Sequence, residues 1–146
     1  MIEPALTQAK YRNKLERDVG GQLAAAGIAF EYEGSWVRYA VPAREAKYLP
    51  DFRVGNVIIE AKGWFGRNGA RERKKLVLLK EQHPELNIRI VFSDARKPIY
   101  KGSPTTYSMW ADTHGFIHST KGVVPKQWLI DLKQEQHNVS KRRKRS

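Results

Sequence analysis

Cysteine is absent from this chain of 146 residues. Its absence excludes disulfides, a thiol nucleophile, a zinc ribbon and an iron–sulfur cluster, and it fits an intracellular, non-secreted protein. Long apolar runs are missing as well. None approaches the roughly 18 residues that a membrane span needs, so no membrane partner is expected. The opening stretch through Arg12 carries an early acid, Glu3, and no apolar core, so it does not read as a secretion signal. No glycine-rich loop of the phosphate-cradling type occurs, which argues against a nucleotide cofactor. Acids are scarce: 15 Asp and Glu stand against 27 Lys and Arg, for a net charge of +12. A chain this basic is expected to meet a polyanion.

The apolar fraction of 40%, with four Trp, six Tyr and five Phe, is too high for a disordered polycation and argues for a packed interior. The length suits one domain, which spans residues 1–135 in this reading, followed by a basic flexible tail over 136–146. Two basic clusters stand out. One is that tail's Lys141, Arg142, Arg143, Lys144 and Arg145, either a solvated run or an arm that grips phosphates. The other is Arg67, Arg71, Arg73, Lys74 and Lys75, which follows the strongest strand and leads into a helix. Cations in a first helical turn oppose the helix dipole, and a nearby phosphate would relieve that conflict.

Apolar periodicity predicts a first helix over about 7–26, with Leu15, Val19, Leu23 and Ala26 on one stripe and Gly27 as its cap. Strands at 30–33 and 36–41 read as a hairpin around Gly34-Ser35, with Glu31 opposite Arg38 and Phe30 opposite Tyr39. A second hairpin reads from 48–54 and 57–62 around Gly55-Asn56. A helix over 70–82, a strand over 87–92, a helix opened by Ser103-Pro104 and closed at Gly115, a strand near 116–118 and a helix from Pro125 complete the order. Strands and helices mix without strict alternation. The expected class is α/β in the mixed α+β sense, a central mixed sheet flanked by helices.

The few acids beside apolar strand residues carry the chemistry. In Val57-Ile58-Ile59-Glu60-Ala61-Lys62, Glu60 and Lys62 are two apart and share one face of a strand. With a two-residue loop at Gly55-Asn56, outward counting sets Asp51 opposite Glu60, with Cβ atoms ~4.5–5.5 Å apart. Like charges placed so are destabilising, and a divalent cation offsets the repulsion. Mg²⁺ takes oxygen ligands, often one or two carboxylates with waters and phosphate oxygens. The carbonyl of Ala61 is a further candidate ligand, and Lys62 can orient or deprotonate a water or stabilise charge growing on a phosphate. Glu16, next to the apolar stripe of the first helix, either reaches inward to complete the shell or stays on the surface. Taken by themselves, these residues fit a metal-dependent nuclease and also a basic nucleic-acid-binding module that does not cut.

A set of ordered blocks narrows the choice. Leu15-Glu16, Phe30-Glu31-Tyr32-Glu33, Tyr48-Leu49-Pro50-Asp51-Phe52, Glu60-Ala61-Lys62-Gly63, Glu81-Gln82-His83-Pro84-Glu85-Leu86, Ile88-Arg89-Ile90-Val91-Phe92 and Tyr100-Lys101-Gly102-Ser103-Pro104-Thr105 span roughly residues 11 to 130. The acid–x–Lys strand with its upstream Pro-Asp is similar to the core of the PD-(D/E)xK nuclease superfamily, and the whole series resembles the phage endonuclease I family of four-way (Holliday) junction resolvases. The resemblance implies a restriction-endonuclease-like core and a structure-selective endonuclease acting on branched DNA with Mg²⁺ or Mn²⁺, one or two ions per site. It implies Glu16, Asp51, Glu60 and Lys62 as the catalytic set, with the three acids as metal ligands. It further implies an intertwined, domain-swapped homodimer. There the helix and strands over about 7–45 are exchanged, so that Glu16 of one chain meets Asp51, Glu60 and Lys62 of the other. If the chain is phage-encoded, it works in the cytoplasm of the host cell. Lys101 joins the basic clusters as a candidate DNA contact. A PD-(D/E)xK nuclease with sequence specificity is the remaining alternative within the superfamily.

Weaker signals are read conservatively. His114 and His118 are four apart, but Gly115 between them and the lack of a third ligand argue against zinc. His137-Asn138 lacks the surroundings of a His-Asn-His nuclease. Trp36, Trp110 and Trp128 are expected in the core, and Trp64 is left without a role.

Overall fold

The computed structural model describes residues 10–41 and 44–145. Eleven elements follow one another along the described chain. Helix α1 (Lys14–Ala25) precedes strands β1 (Glu31–Tyr32), β2 (Val37–Val41), β3 (Arg44–Tyr48), β4 (Phe52–Val54) and β5 (Val57–Lys62). Then come α2 (Gly69–Gln82), β6 (Asn87–Phe92), α3 (Tyr107–Thr113), β7 (Ile117–Ser119) and α4 (Lys126–Arg145). A five-stranded sheet runs in the order β1-β4-β5-β6-β7, while β2 and β3 pair apart from it. The β1/β4 and β4/β5 pairs are antiparallel and the β5/β6 and β6/β7 pairs parallel, so the sheet is mixed, as expected.

Strand β5 is the spine. Its continuous apolar run suits a central strand covered on both faces. Ile58 faces the cluster of Leu76, Leu79, Phe92, Tyr107 and Trp110 under α2 and α3. Ile59 and Ala61 face the cluster of Val19, Leu23, Phe52, Trp128 and Leu132 under α1 and α4. The expected register holds, with Val54 opposite Val57 across Gly55-Asn56 and Phe52 opposite Ile59. Gly55 has φ +55°, the left-handed geometry that a tight two-residue loop demands.

Several boundaries differ from expectation, each for a local reason. The first helix starts at Lys14 rather than near residue 7, whose neighbourhood through residue 9 lies outside the described residues. Asn13 caps it, its side chain accepting from the Glu16 N–H at 2.8 Å, and Asn13-x-x-Glu16 has the spacing of a capping box. The hairpin expected between 30–33 and 36–41 does not form. Strand β1 pairs with β4 instead, Glu31 opposite Arg53 and Tyr32 opposite Phe52, and β2 pairs with β3. Phe30 belongs to the core on the α1 and α4 face and Val37 to the core on the other, so the two segments serve opposite layers. The strand expected over 48–54 is divided: Tyr48 ends β3 and β4 begins at Phe52, with Pro50, which has no N–H to donate, between them. Helix α3 opens at Tyr107 on a Thr106 cap rather than at Ser103-Pro104. Residues 136–145, read from the sequence as a flexible tail, continue α4 without a break. Trp110 and Trp128 are core residues as expected, whereas Trp36 is exposed, with the Lys47 ammonium 4.6 Å from its ring.

Candidate active site

The four residues singled out as a catalytic set come together within the single chain. Glu16 leaves the first turn of α1, Asp51 precedes β4, and Glu60 and Lys62 project from one face of β5. All three acids are almost fully buried. Of the two places open to Glu16, the structure selects the inward one. Its carboxylate accepts from the Tyr32 hydroxyl and from the Arg12 N–H at 3.3 Å, which ties the start of α1 to β1.

Each carboxylate is held by its neighbours. The Asp51 N–H donates to Glu60 Oε2 at 3.0 Å, and the Ala61 N–H donates to Asp51 Oδ2 at 3.0 Å. The register that sets Asp51 beside Glu60 thus appears as two backbone-to-carboxylate bonds, one from Asp51 to Glu60 and one from Ala61 to Asp51. Glu60 also accepts from the Tyr48 hydroxyl, which burial and Glu60 itself push well above the usual phenol range. Lys62 Nζ lies 3.6 Å from Glu60 Oε1 and 3.6 Å from Glu72 Oε2 on α2. Burial works to lower the Lys62 pKa, but Glu60, Asp51 and Glu72 outweigh it and raise the value, so the ammonium stays charged. Asp51 moves the other way from a free carboxylate. Burial first, then the Glu60 and Glu16 charges, push it up to about 8 against the opposing Ala61 N–H and Lys62.

Three carboxylate oxygens, from Glu16, Glu33 and Asp51, lie within 4.8 Å of one another. Opposite ligands of an octahedral Mg²⁺ are about 4.2 Å apart, so this all-oxygen triangle needs only small side-chain rotation to hold such an ion. The residues fit the metal. Glu60 stands beside the triangle, its oxygens engaged by the Tyr48 hydroxyl, the Asp51 N–H and Lys62, and the Ala61 N–H donates to Asp51. Glu33 joins Glu16 and Asp51 in this triangle, an acid that the pattern of the sequence does not single out. Its backbone sits at φ +49°, outside the strand geometry that period-two counting assumes, and its N–H donates to the Asp51 carbonyl at 3.0 Å. That departure explains why pattern reading passed over Glu33, although it lies in the Phe30–Glu33 block. Arg12, four residues before Glu16, was also missed. Its guanidinium reaches Glu33 at 2.8 Å, Asp51 at 3.6 Å and Glu16 at 3.8 Å.

Two clefts open onto the acids. One, of about 550 Å³, is bordered by Arg12, Lys14, Glu16, Asp51, Lys62 and the exposed Trp64. The other, of about 400 Å³, includes Glu60, Lys62, Arg67, Glu72 and Lys75. Of the basic cluster, Arg67 and Lys75 therefore border the site. Arg71 and Lys74 line a separate groove of about 610 Å³ with Arg44 and Lys47 of the β2–β3 hairpin. Arg73 donates to the Ile99 carbonyl at 3.3 Å and lies over Phe65, so it braces α2. Lys101 lies exposed in the turn before α3, and Lys141, Arg142, Arg143 and Lys144 lie exposed on the last turns of α4. None of these five is among the residues bordering the two clefts, and Arg145 ends that helix. His118 pairs with Asp112 at 2.8 Å.

Buried acids beside Lys62, reached through clefts bordered by Arg12, Lys14, Arg67 and Lys75 on a mixed sheet, have the chemistry of a carboxylate site open to an anionic partner. Comparison with known proteins makes this specific. The family described as phage endonuclease I matches residues 3–146, and the chain belongs to that family. It is 44% identical to "Endonuclease I" of Escherichia phage T7 over 126 residues, 86% of this chain and 82% of that protein. It is 41% identical to "Endodeoxyribonuclease 1" of Enterobacteria phage T3 over 126 residues, 86% of this chain and 80% of that one.

Proposed function

We propose that the chain is a structure-selective DNA endonuclease that resolves four-way junctions and other branched DNA by metal-dependent hydrolysis of backbone phosphodiesters inside the host cell. The observation that carries the reading is Asp51, buried between Glu16 and Glu33 on one side and Glu60 on the other, with Lys62 beside it. The names of the relatives supply the class of reaction. Glu16, Glu33 and Asp51 would hold Mg²⁺ or Mn²⁺. When bound, such an ion would supply activation of a water and neutralisation of charge at the phosphate.

The chain's own groups divide the remaining work. Lys62, kept protonated by three carboxylates, stabilises negative charge on the phosphate rather than taking a proton. Tyr48 and the Asp51 N–H fix the Glu60 carboxylate, and Glu60 in turn aims Lys62. Arg67 and Lys75 guide the backbone into the cleft. Contacts of this kind follow phosphates and read junction shape, not base sequence.

A homodimer with exchanged N-terminal segments gives such an enzyme two sites for two strands. The β2–β3 pairing is compatible with it. Every pair, from Val37 opposite Tyr48 to Val41 opposite Arg44, is symmetric about a point between residues 42 and 43. Two chains opened at that point and laid antiparallel reproduce each pair between subunits. Glu16 lies on the exchanged side of this hinge and Asp51, Glu60 and Lys62 on the other.

The reading is tested with labelled four-way junction and matched linear duplex, each incubated with Mg²⁺ and with chelator. Symmetric cuts near the branch point, lost with chelator and weak on duplex, are expected. No cleavage with any divalent ion would leave a binding module, and equal cutting of random duplex would remove the structural selectivity.

A further inference from the structure

Arg12 is the only cation whose guanidinium touches all three members of the oxygen triangle, among the described residues. Its Nε is 2.8 Å from Glu33 Oε2, and its Nη2 is 3.6 Å from Asp51 Oδ1 and 3.8 Å from Glu16 Oε2. The Arg12 backbone N–H is anchored as well, donating to Glu16 Oε1 and to the Tyr32 hydroxyl at 3.1 Å. The side chain itself is 67% exposed, so the charged end enters the cluster from the solvent side. It forms part of the wall of both clefts, the one with Lys14 and Trp64 and the one with Arg67 and Lys75.

These contacts set up a competition. Three carboxylates within 4.8 Å of one another need a cation, and the space they enclose centres one cation at a time. The oxygens that bind the guanidinium are the oxygens a hard divalent ion requires. An arginine displaced from them keeps its anchored backbone and swings its exposed end towards the cleft mouth. There a backbone phosphate offers the same planar, two-pronged partner that a carboxylate does.

We propose that Arg12 is an internal counter-ion that fills the cation position among Glu16, Glu33 and Asp51 in the DNA-free protein, and that its guanidinium passes to a backbone phosphate when metal and DNA bind. This rests on the metal-dependent reading of the site. It makes metal and DNA binding mutually reinforcing, because each favours the displaced arginine, and such coupling is reciprocal. It also holds the site at low metal occupancy until a DNA backbone is present.

The direct test is calorimetric titration of the DNA-free full chain with Mn²⁺, comparing the natural protein with Arg12→Gln and Arg12→Lys, each checked for folding by thermal melting. Removal of a competing charge at this distance, softened by its exposure to solvent, should tighten Mn²⁺ binding of Arg12→Gln about tenfold. Arg12→Lys, which keeps the charge without the planar fork, should fall between the two. A merely structural Arg12, bracing the acids, predicts weaker binding on removal. Mn²⁺ binding by Arg12→Gln that is equal to or weaker than that of the natural protein overturns the proposal and leaves the metal reading standing. If none of the three proteins binds Mn²⁺, the metal reading fails and the role of Arg12 fails with it.

Discussion

Asp51 is the residue on which the electrostatics of the site converge. Its proton affinity is raised because the carboxylate is buried and faces Glu60 and Glu16, so the metal-free fold carries a cost that grows as Asp51 ionises. The sign follows from proton linkage. Between an unfolded value near 3.8 and a folded value of about 8, the native chain holds a proton that the unfolded chain has released, so stability falls as pH rises through that window. Asp51→Asn keeps the shape and removes the charge. Thermal melts in chelator should show the variant gaining on the natural protein by about 3–8 °C more at pH 8 than at pH 5, corresponding to ~1–2 kcal/mol in a domain of this size. A gap that does not change with pH would mean that Asp51 is not the strained group. Glu33 and Arg12 belong to the same scale. Neither stood out in the sequence, because their importance comes from being brought to Asp51 by a positive-φ residue and a helix-cap segment, and neither leaves a period to count.

At the scale of elements, what could be read from the sequence tracks how local its cause is. Strand β6 runs over residues 87–92 as expected and α2 starts one residue early, because a dense apolar run and a helical stripe are bounded by Pro84 and by Gly69. The β4–β5 hairpin was readable from Gly55-Asn56, and with it the meeting of Asp51 and Glu60. The β1 pairing was not. Its partner β4 lies about twenty residues on, while Gly34-Ser35 offered a plausible nearer turn. Only the division of Phe30 and Val37 between two core layers decides against that turn, and this is a property of the assembled sheet. The start of α1 lay in between. Asn13-x-x-Glu16 carried the signal, and reading it as a cap would have fixed both the helix start and the inward turn of Glu16. Arg89, buried on β6 with its guanidinium 2.7 Å from Asp131 of α4, shows the same limit, since an internal charge in an apolar strand is explained only by its distant partner.

At the scale of the whole molecule, the proposed function makes the +12 charge and the cluster of acids two parts of one device, in which the basic surface would gather the polyanion and the acids would act on it. Exchange of N-terminal segments is tested by combining Glu16→Ala with Lys62→Ala chains, denatured and refolded together. If sites are shared between subunits, each mixed dimer contains one intact and one doubly altered site. Random pairing then restores about a quarter of the natural number of sites. Sites built within one chain leave every site with one defect and restore none. Unmixed controls stay inactive in either case.

The central claim is that the buried acids of β5 and its neighbouring turn perform hydrolysis and do not merely support the fold. Asp51→Ala and Glu60→Ala, each confirmed folded by circular dichroism, are compared with the natural protein for cleavage of a four-way junction in Mg²⁺ and for junction binding in chelator. Cleavage is predicted to fall by on the order of 10³-fold or more while binding is retained, since binding rests on the cations lining the clefts. Folded variants that still cut the junction at near the natural rate would contradict the account.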